Sequence, residues 1–145
     1  MSERYSRATA YHEAGHAVVA WSFDLPVRAV RVSDDDAGGA TDIDSADGLT
    51  LIEQIAVLSA GIAAGGVFEC PTHKLAGSRD RQKIMELIKA HGISEEGEQA
   101  RKLRYDGIDY ARVRLETHKS KVIKLAERLV EAGRVDASEF LSLMQ

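Results

Sequence analysis

Between Ile55 and Phe68 the chain is apolar and crowded with small residues, among them Ala56, Ser59, Ala60, Gly61, Ala63 and Ala64. Thr50-Leu51-Ile52-Glu53, just ahead of it, has the spacing of a capping box, so a helix opens there and continues to about Gly66. Small residues at this density let another backbone come close, which predicts that this helix is the central one. The stretch is interrupted by Ser59 and several glycines and falls short of the ~20 apolar residues a spanning helix needs. No membrane span is therefore expected.

The flanking segments follow from periodicity and punctuation. Ser6 is an N-cap for a helix that runs to about Phe23, before Pro26. Val27 to Val32 alternates loosely between apolar and basic residues, as a half-exposed strand does. The acidic turn Asp34-Asp35-Asp36-Ala37-Gly38-Gly39 leads into a short return strand, Ala40 to Ile43, and the two form a hairpin at the edge of a small sheet. After a loop with Cys70, Pro71, Thr72 and His73, Ser78-Arg79-Asp80 opens a third helix that ends near Gly92. A charged segment then extends from Ser94 to about Ala132, with Gly107 as its expected break or kink. Leu115, His118, Val122, Leu125, Ala126 and Leu129 recur in it at helical steps and mark a buried face. Asp136 caps a last short helix that ends at Met144. The expected fold is mainly α with a small edge hairpin, in a single domain over residues 1–145.

Composition removes several functions. Nineteen Lys and Arg against 23 Asp and Glu give a net charge of −4, the wrong sign for a general nucleic-acid binder. One cysteine, Cys70, excludes an internal disulfide framework and a multi-cysteine metal site, and reads most simply as a buried small residue. No GxxxxGK[ST] phosphate loop occurs, and the first residues do not read as a secretion signal, so a cytoplasmic location is expected.

The chemistry sits in the first helix, where Tyr11-His12-Glu13-Ala14-Gly15-His16-Ala17 contains HExxH. Residues four apart share a helix face, so the two imidazoles can reach one metal ion at bond lengths of ~2.0–2.1 Å. Glu13, one residue after the first histidine, lies about 100° around the helix. It stands beside the metal, placed to accept a proton from an attacking water. With five His in 145 residues, chance supplies HExxH in roughly one such chain in seventy, so context must decide. The alternative is a surface helix with solvated histidines. Ala14, Gly15, Ala17, Val18 and Val19 argue for a buried helix instead, and buried histidines need partners that a shared metal supplies.

Tyr11 through Val19 resembles the peptidase domain of the FtsH family, the ATP-dependent AAA zinc metalloproteases. The resemblance extends to Asp47-Gly48-Leu49-Thr50 with the small-residue helix, to Gly77-Ser78-Arg79-Asp80, and to Val135-Asp136-Ala137-Ser138-Glu139-Phe140-Leu141. It covers about Ser6 to Met144 and implies a helical FtsH-type peptidase domain.

The resemblance implies Asp80 as the third metal ligand, with Zn2+ held by His12, His16 and Asp80 and Glu13 as the catalytic base. Asp80 also reads as an acidic residue in a first helical turn, favourable with the helix dipole, and the two roles are compatible. His73 is a rival ligand by its chemistry or, alternatively, a solvated loop histidine. His91 reads as a helix-end residue and His118 as a helix-face residue. Two imidazoles and a carboxylate suit zinc, although iron accepts such a set too. Family members receive extended peptide on an exposed strand near the metal, and Gly38-Gly39-Ala40-Thr41 is the matching edge or an ordinary hairpin turn. The three aspartates ahead of it disfavour acidic substrates or keep the edge from aggregating. The ATPase and anchor of the family have no counterpart in these residues. The expected activity is zinc-dependent hydrolysis of unfolded or flexible polypeptides, served by a separately encoded ATPase or by self-association. The alternative is a non-catalytic, metal-stabilised peptide- or partner-binding module.

Overall fold

Helix α1 (Arg7–Ser22) and helix α2 (Leu51–Val67) meet with almost no side chain between them. A Cβ on Gly15 would stand 2.7 Å from the Ala60 carbonyl oxygen and from the Ala64 Cβ. A Cβ on Gly61 would collide with the His12 ring, 2.4 Å from its Cε1. The small-residue run is thus the face on which the first helix lies, and α2 is the central helix, packed on α1, α3 (Lys74–Ala90) and α4 (Glu98–Thr117). The computed structural model describes residues 5–33 and 38–145. The aspartates at 34 to 36 lie outside the described residues.

The predicted caps are in place. The Ser6 hydroxyl accepts from the Thr9 N–H at 3.2 Å. Thr50 and Glu53 form the full capping box, with bonds of 3.3 and 2.9 Å. Asp136 accepts from the Glu139 N–H at 2.9 Å and opens α6 (Ala137–Leu143).

Strand β1 (Val27–Val32) pairs antiparallel with β2 (Gly39–Ile43), with Val30 opposite Thr41 and Val32 opposite Gly39. On its other side it pairs with β3 (Arg134–Asp136), so the sheet has the order β2-β1-β3. No periodicity can mark a strand as short as β3; the centrality of β1 shows only in the pairing. Val27, Val30 and Val32 point into the main core, where they meet Val18, Val19, Leu125, Leu129 and Phe140. A second cluster joins Ile55, Ile84, Ile88 and Ala100, and locks α3 against α2 and α4. Six helices and this small sheet make the described chain mainly α.

Two boundaries correct the sequence expectation. Helix α3 begins at Lys74, four residues before Ser78, because the His73 imidazole accepts from the Leu75 N–H at 3.2 Å and serves as an N-cap. Asp80 therefore sits in the second turn, beyond the reach of the N-terminal dipole. The charged segment breaks at His118, between α4 and α5 (Lys119–Ala132), and not at Gly107. Gly107 lies inside α4, where a Cβ would be 2.4 Å from Ile55 Cγ2, so its role is close approach to α2. No helix among the described residues is long and apolar enough to cross a membrane.

Two glycines of the α1–α2 pair respond oppositely to a methyl group. Gly15→Ala overpacks the contact and lowers stability by about 1–3 kcal/mol. Gly66→Ala, where nothing lies within 4 Å, raises it by about 0.5 kcal/mol through the unfolded chain's lost entropy. Urea unfolding of the two variants checks both signs.

Candidate metal centre

His12 and His16 leave α1 on the side that faces α2, and α2 orients both rings through backbone oxygens. His16 Nδ1 lies 2.8 Å from the Val57 carbonyl, which can only accept, so this nitrogen carries the proton and donates. Thr72 Oγ1 stands 3.1 Å from the Gly61 carbonyl and 2.9 Å from His12 Nδ1. The hydroxyl proton goes to the carbonyl, so the oxygen accepts from a protonated His12 Nδ1. In the neutral form of each ring this leaves Nε2 with a bare lone pair.

The two lone pairs point at the same place as a carboxylate. His12 Nε2 is 3.2 Å from His16 Nε2, and Asp80 Oδ2 lies 2.8 Å from the first and 3.0 Å from the second. Three acceptors packed this closely repel one another unless something positive sits among them. A proton on one ring repairs one contact, whereas a metal ion serves all three. Ligand atoms ~2.0 Å from a tetrahedral centre lie about 3.3 Å apart, close to the spacing here. The residues present therefore fit a metal ion, and they are the three that can jointly offer one among the described residues.

The site lies at the bottom of a cleft and is largely buried. His12, Glu13 and Asp80 are buried, and the side chain of His16 is 13% exposed. Burial alone pushes the Asp80 carboxyl up, but the hydrogen bonds and charges of His12 and His16 outweigh it and hold the group well below the usual carboxylate range. Burial pushes the His16 imidazole down, yet the bond to Asp80, the charges of Glu13 and Asp80, and the Val57 carbonyl hold it above its ordinary value.

Glu13 lies beside this cluster and belongs to the next contact. Its Oε1 accepts from the Thr41 hydroxyl of β2 at 2.7 Å, and its Oε2 would be 2.9 Å from a Cβ on Gly39. Edge strand β2 thus forms one wall against the glutamate. The cleft between β2, α1, α2 and α3 holds about 350 Å³, and His12, Glu13, His16 and Asp80 all line it.

The remaining residues fall where their contacts place them. His73 is exposed on the rim of the cleft as the cap of α3 and takes no part in the cluster. His91 ends α3, where it donates to the Leu87 carbonyl at 2.9 Å. His118 sits at the α4–α5 junction with its ring edge-on to Trp21 at 5.2 Å. Cys70 is half-buried at the margin of the core. Sequence reasoning missed Thr72, Val57, Gly61 and Thr41 as partners of the centre. Only the small-residue run hinted at the two α2 positions, and nothing marks a lone threonine as a histidine's hydrogen-bond partner.

No model of a known protein family matches the chain, and no curated protein does. The FtsH-family resemblance accordingly rests on the residues quoted for it.

Two measurements check this geometry. Thr72→Val removes the acceptor for His12 Nδ1 and should weaken zinc binding about ten- to a hundredfold, whereas Thr72→Ser should keep it. The second concerns metal-free stability. The lowered Asp80 value makes its contribution present above the unfolded value of ~3.9 and lost as pH falls through the folded one. The raised His16 value makes its contribution full below ~6.5 and lost as pH rises through the folded one. The metal-free protein should thus be most stable near about pH 5–6, and saturating zinc should remove the alkaline loss. A metal-free melting temperature that stays level from about pH 6 to 9 would count against the coupling.

Proposed function

We propose that this chain is a zinc-dependent metallopeptidase that hydrolyses peptide bonds of unfolded or flexible polypeptides. The observation that carries the reading is the convergence of two imidazole Nε2 atoms and the Asp80 carboxylate, with Glu13 beside them in an open cleft. His12, His16 and Asp80 would hold the ion. When bound, zinc supplies Lewis-acid polarisation of a peptide carbonyl and lowers the pKa of water at its open position.

The other roles belong to the chain. Glu13 takes the proton of the attacking water at its carboxylate and returns it to the leaving amine. Thr41, by donating to Oε1, holds that carboxylate in place against β2. Strand β2 is the last strand on its side of the sheet, so an extended peptide can add there through main-chain hydrogen bonds. Gly39 keeps that wall thin, because a side chain there would collide with Glu13. The resemblance to FtsH-family peptidases implies the same metal ligands, the same base and a peptide-receiving strand edge, and a separately encoded ATPase would be the natural source of unfolded substrate.

Glu13→Gln should retain one zinc per chain and lose hydrolysis of an unfolded protein by at least about a hundredfold, the usual weight of a general base. His16→Ala and Asp80→Ala should lose the metal itself. Metal content by mass spectrometry, read beside fluorescein-casein cleavage, distinguishes them. Equal activity in Glu13→Gln and wild type would refute the mechanism. One zinc per wild-type chain with no cleavage would instead make the site a metal-stabilised binding module.

A further inference from the structure

The walls of the cleft differ in charge. Strand β2 contributes Ala40, Thr41 and Ile43 and helix α2 contributes Val57 and Leu58, none of which is charged. Helix α3 contributes Arg79 and Lys83, four residues apart and so one turn apart on a single face, next to the face that buries Asp80 and Ile84. Both are exposed, and neither has a carboxylate within ion-pair distance among the described residues. Arg28, Arg101, Lys102, Arg112 and Arg128 are paired, while Lys74, Arg81 and Lys89 on the same helix also lack a carboxylate at that distance among the described residues, so what sets Arg79 and Lys83 apart is that they line the cleft. The cleft's own carboxylates are engaged as well, Asp80 by the imidazoles and Glu13 by Thr41. In a chain of net charge −4, two unpaired cations stand at the lip of the cleft that holds the candidate metal centre, where low-dielectric walls focus their field.

Resting on the peptidase reading of the same cleft, we propose that the α3 wall binds a carboxylate of the substrate, so that acidic peptides are preferred. Arg79 offers a planar fork that matches a carboxylate and Lys83 a mobile point charge beside it. Two chemical sources fit: an Asp or Glu side chain near the cleaved bond, or the free carboxyl terminus of the peptide. Because the pair is exposed, the preference is several-fold and weakens with salt.

The test uses the zinc-loaded full chain and three quenched-fluorescence peptides of one sequence. One is neutral with an amidated end, one carries Glu on either side of the cleaved bond and an amidated end, and one is neutral with a free carboxyl terminus close to that bond. The ratio of kcat/KM for an acidic to the neutral peptide should be about five in wild type. In Arg79→Gln/Lys83→Gln it should fall to about one, and in Arg79→Glu/Lys83→Glu below one, with zinc content and circular dichroism as wild type. A gain with the Glu peptide assigns the side chain as the ligand; a gain confined to the third peptide assigns the terminus. A wild-type ratio of one or less for both, or a ratio that the double variants leave unchanged, overturns the proposal. If wild type cleaves none of the three, the peptidase reading fails, and fluorescence anisotropy with the same peptides decides the charge preference separately. Tighter binding of an acidic peptide that the double variant loses upholds it, and equal binding overturns it.

Discussion

The contact on which the rest depends is the bare approach of α1 to α2. At Gly61 the space that a Cβ would fill is occupied by the His12 ring, and at Gly15 the Ala60 carbonyl and the Ala64 methyl fill it. This closeness lets α2 hold the imidazoles with its own backbone. His16 donates directly to the Val57 carbonyl, and His12 reaches the Gly61 carbonyl through the Thr72 hydroxyl. Two carbonyls four apart on one helix thus answer two histidines four apart on the other. The shared spacing is that of the α-helix itself, which brings groups four apart to the same face. A bulkier interface would part the helices and leave both Nδ1–H groups without acceptors.

Fixing Nδ1 as the donor has a consequence on the other side of each ring. In the neutral rings both Nε2 lone pairs face one another and Asp80, on side chains that are largely buried. Desolvated acceptors so close together raise the energy of the empty arrangement, and a cation relieves it. The stress at this point is offset by the two hydrophobic clusters, which seat α1 in the main core and α3 in the smaller one. An ion held there would be coupled to folding for that reason.

Much of the fold was legible because local chemistry acts at short range. Ser6, Thr50 and Asp136 cap helices from positions that any context would favour, and the stripe from Val122 to Leu129 can bury only one face. The misreadings share a cause. Gly107 looks like a breaker in one dimension and is a contact surface in three, since only the position of Ile55 reveals its use. His73 looks like a loop residue or a ligand, and its cap to Leu75 depends on where the chain turns after Pro71. The strand Arg134–Asp136 is too short to carry a pattern and exists because β1 has a free edge beside it.

The sequence by itself determined that His12, Glu13 and His16 share a helix, with the histidines on one face, because helical geometry is a property of neighbours along the chain. It also determined that a small-residue helix would be central, because absent side chains permit close packing wherever the partner comes from. Only the tertiary structure decided which residues complete the centre. Asp80 was expected through the family resemblance alone, and Thr72, Val57 and Thr41 were not expected as partners; all four lie tens of residues from the motif, and their meeting depends on how α2, α3 and β2 pack around α1. Side-chain partners across such separations are chosen by packing of the whole core, a global quantity that no local pattern encodes.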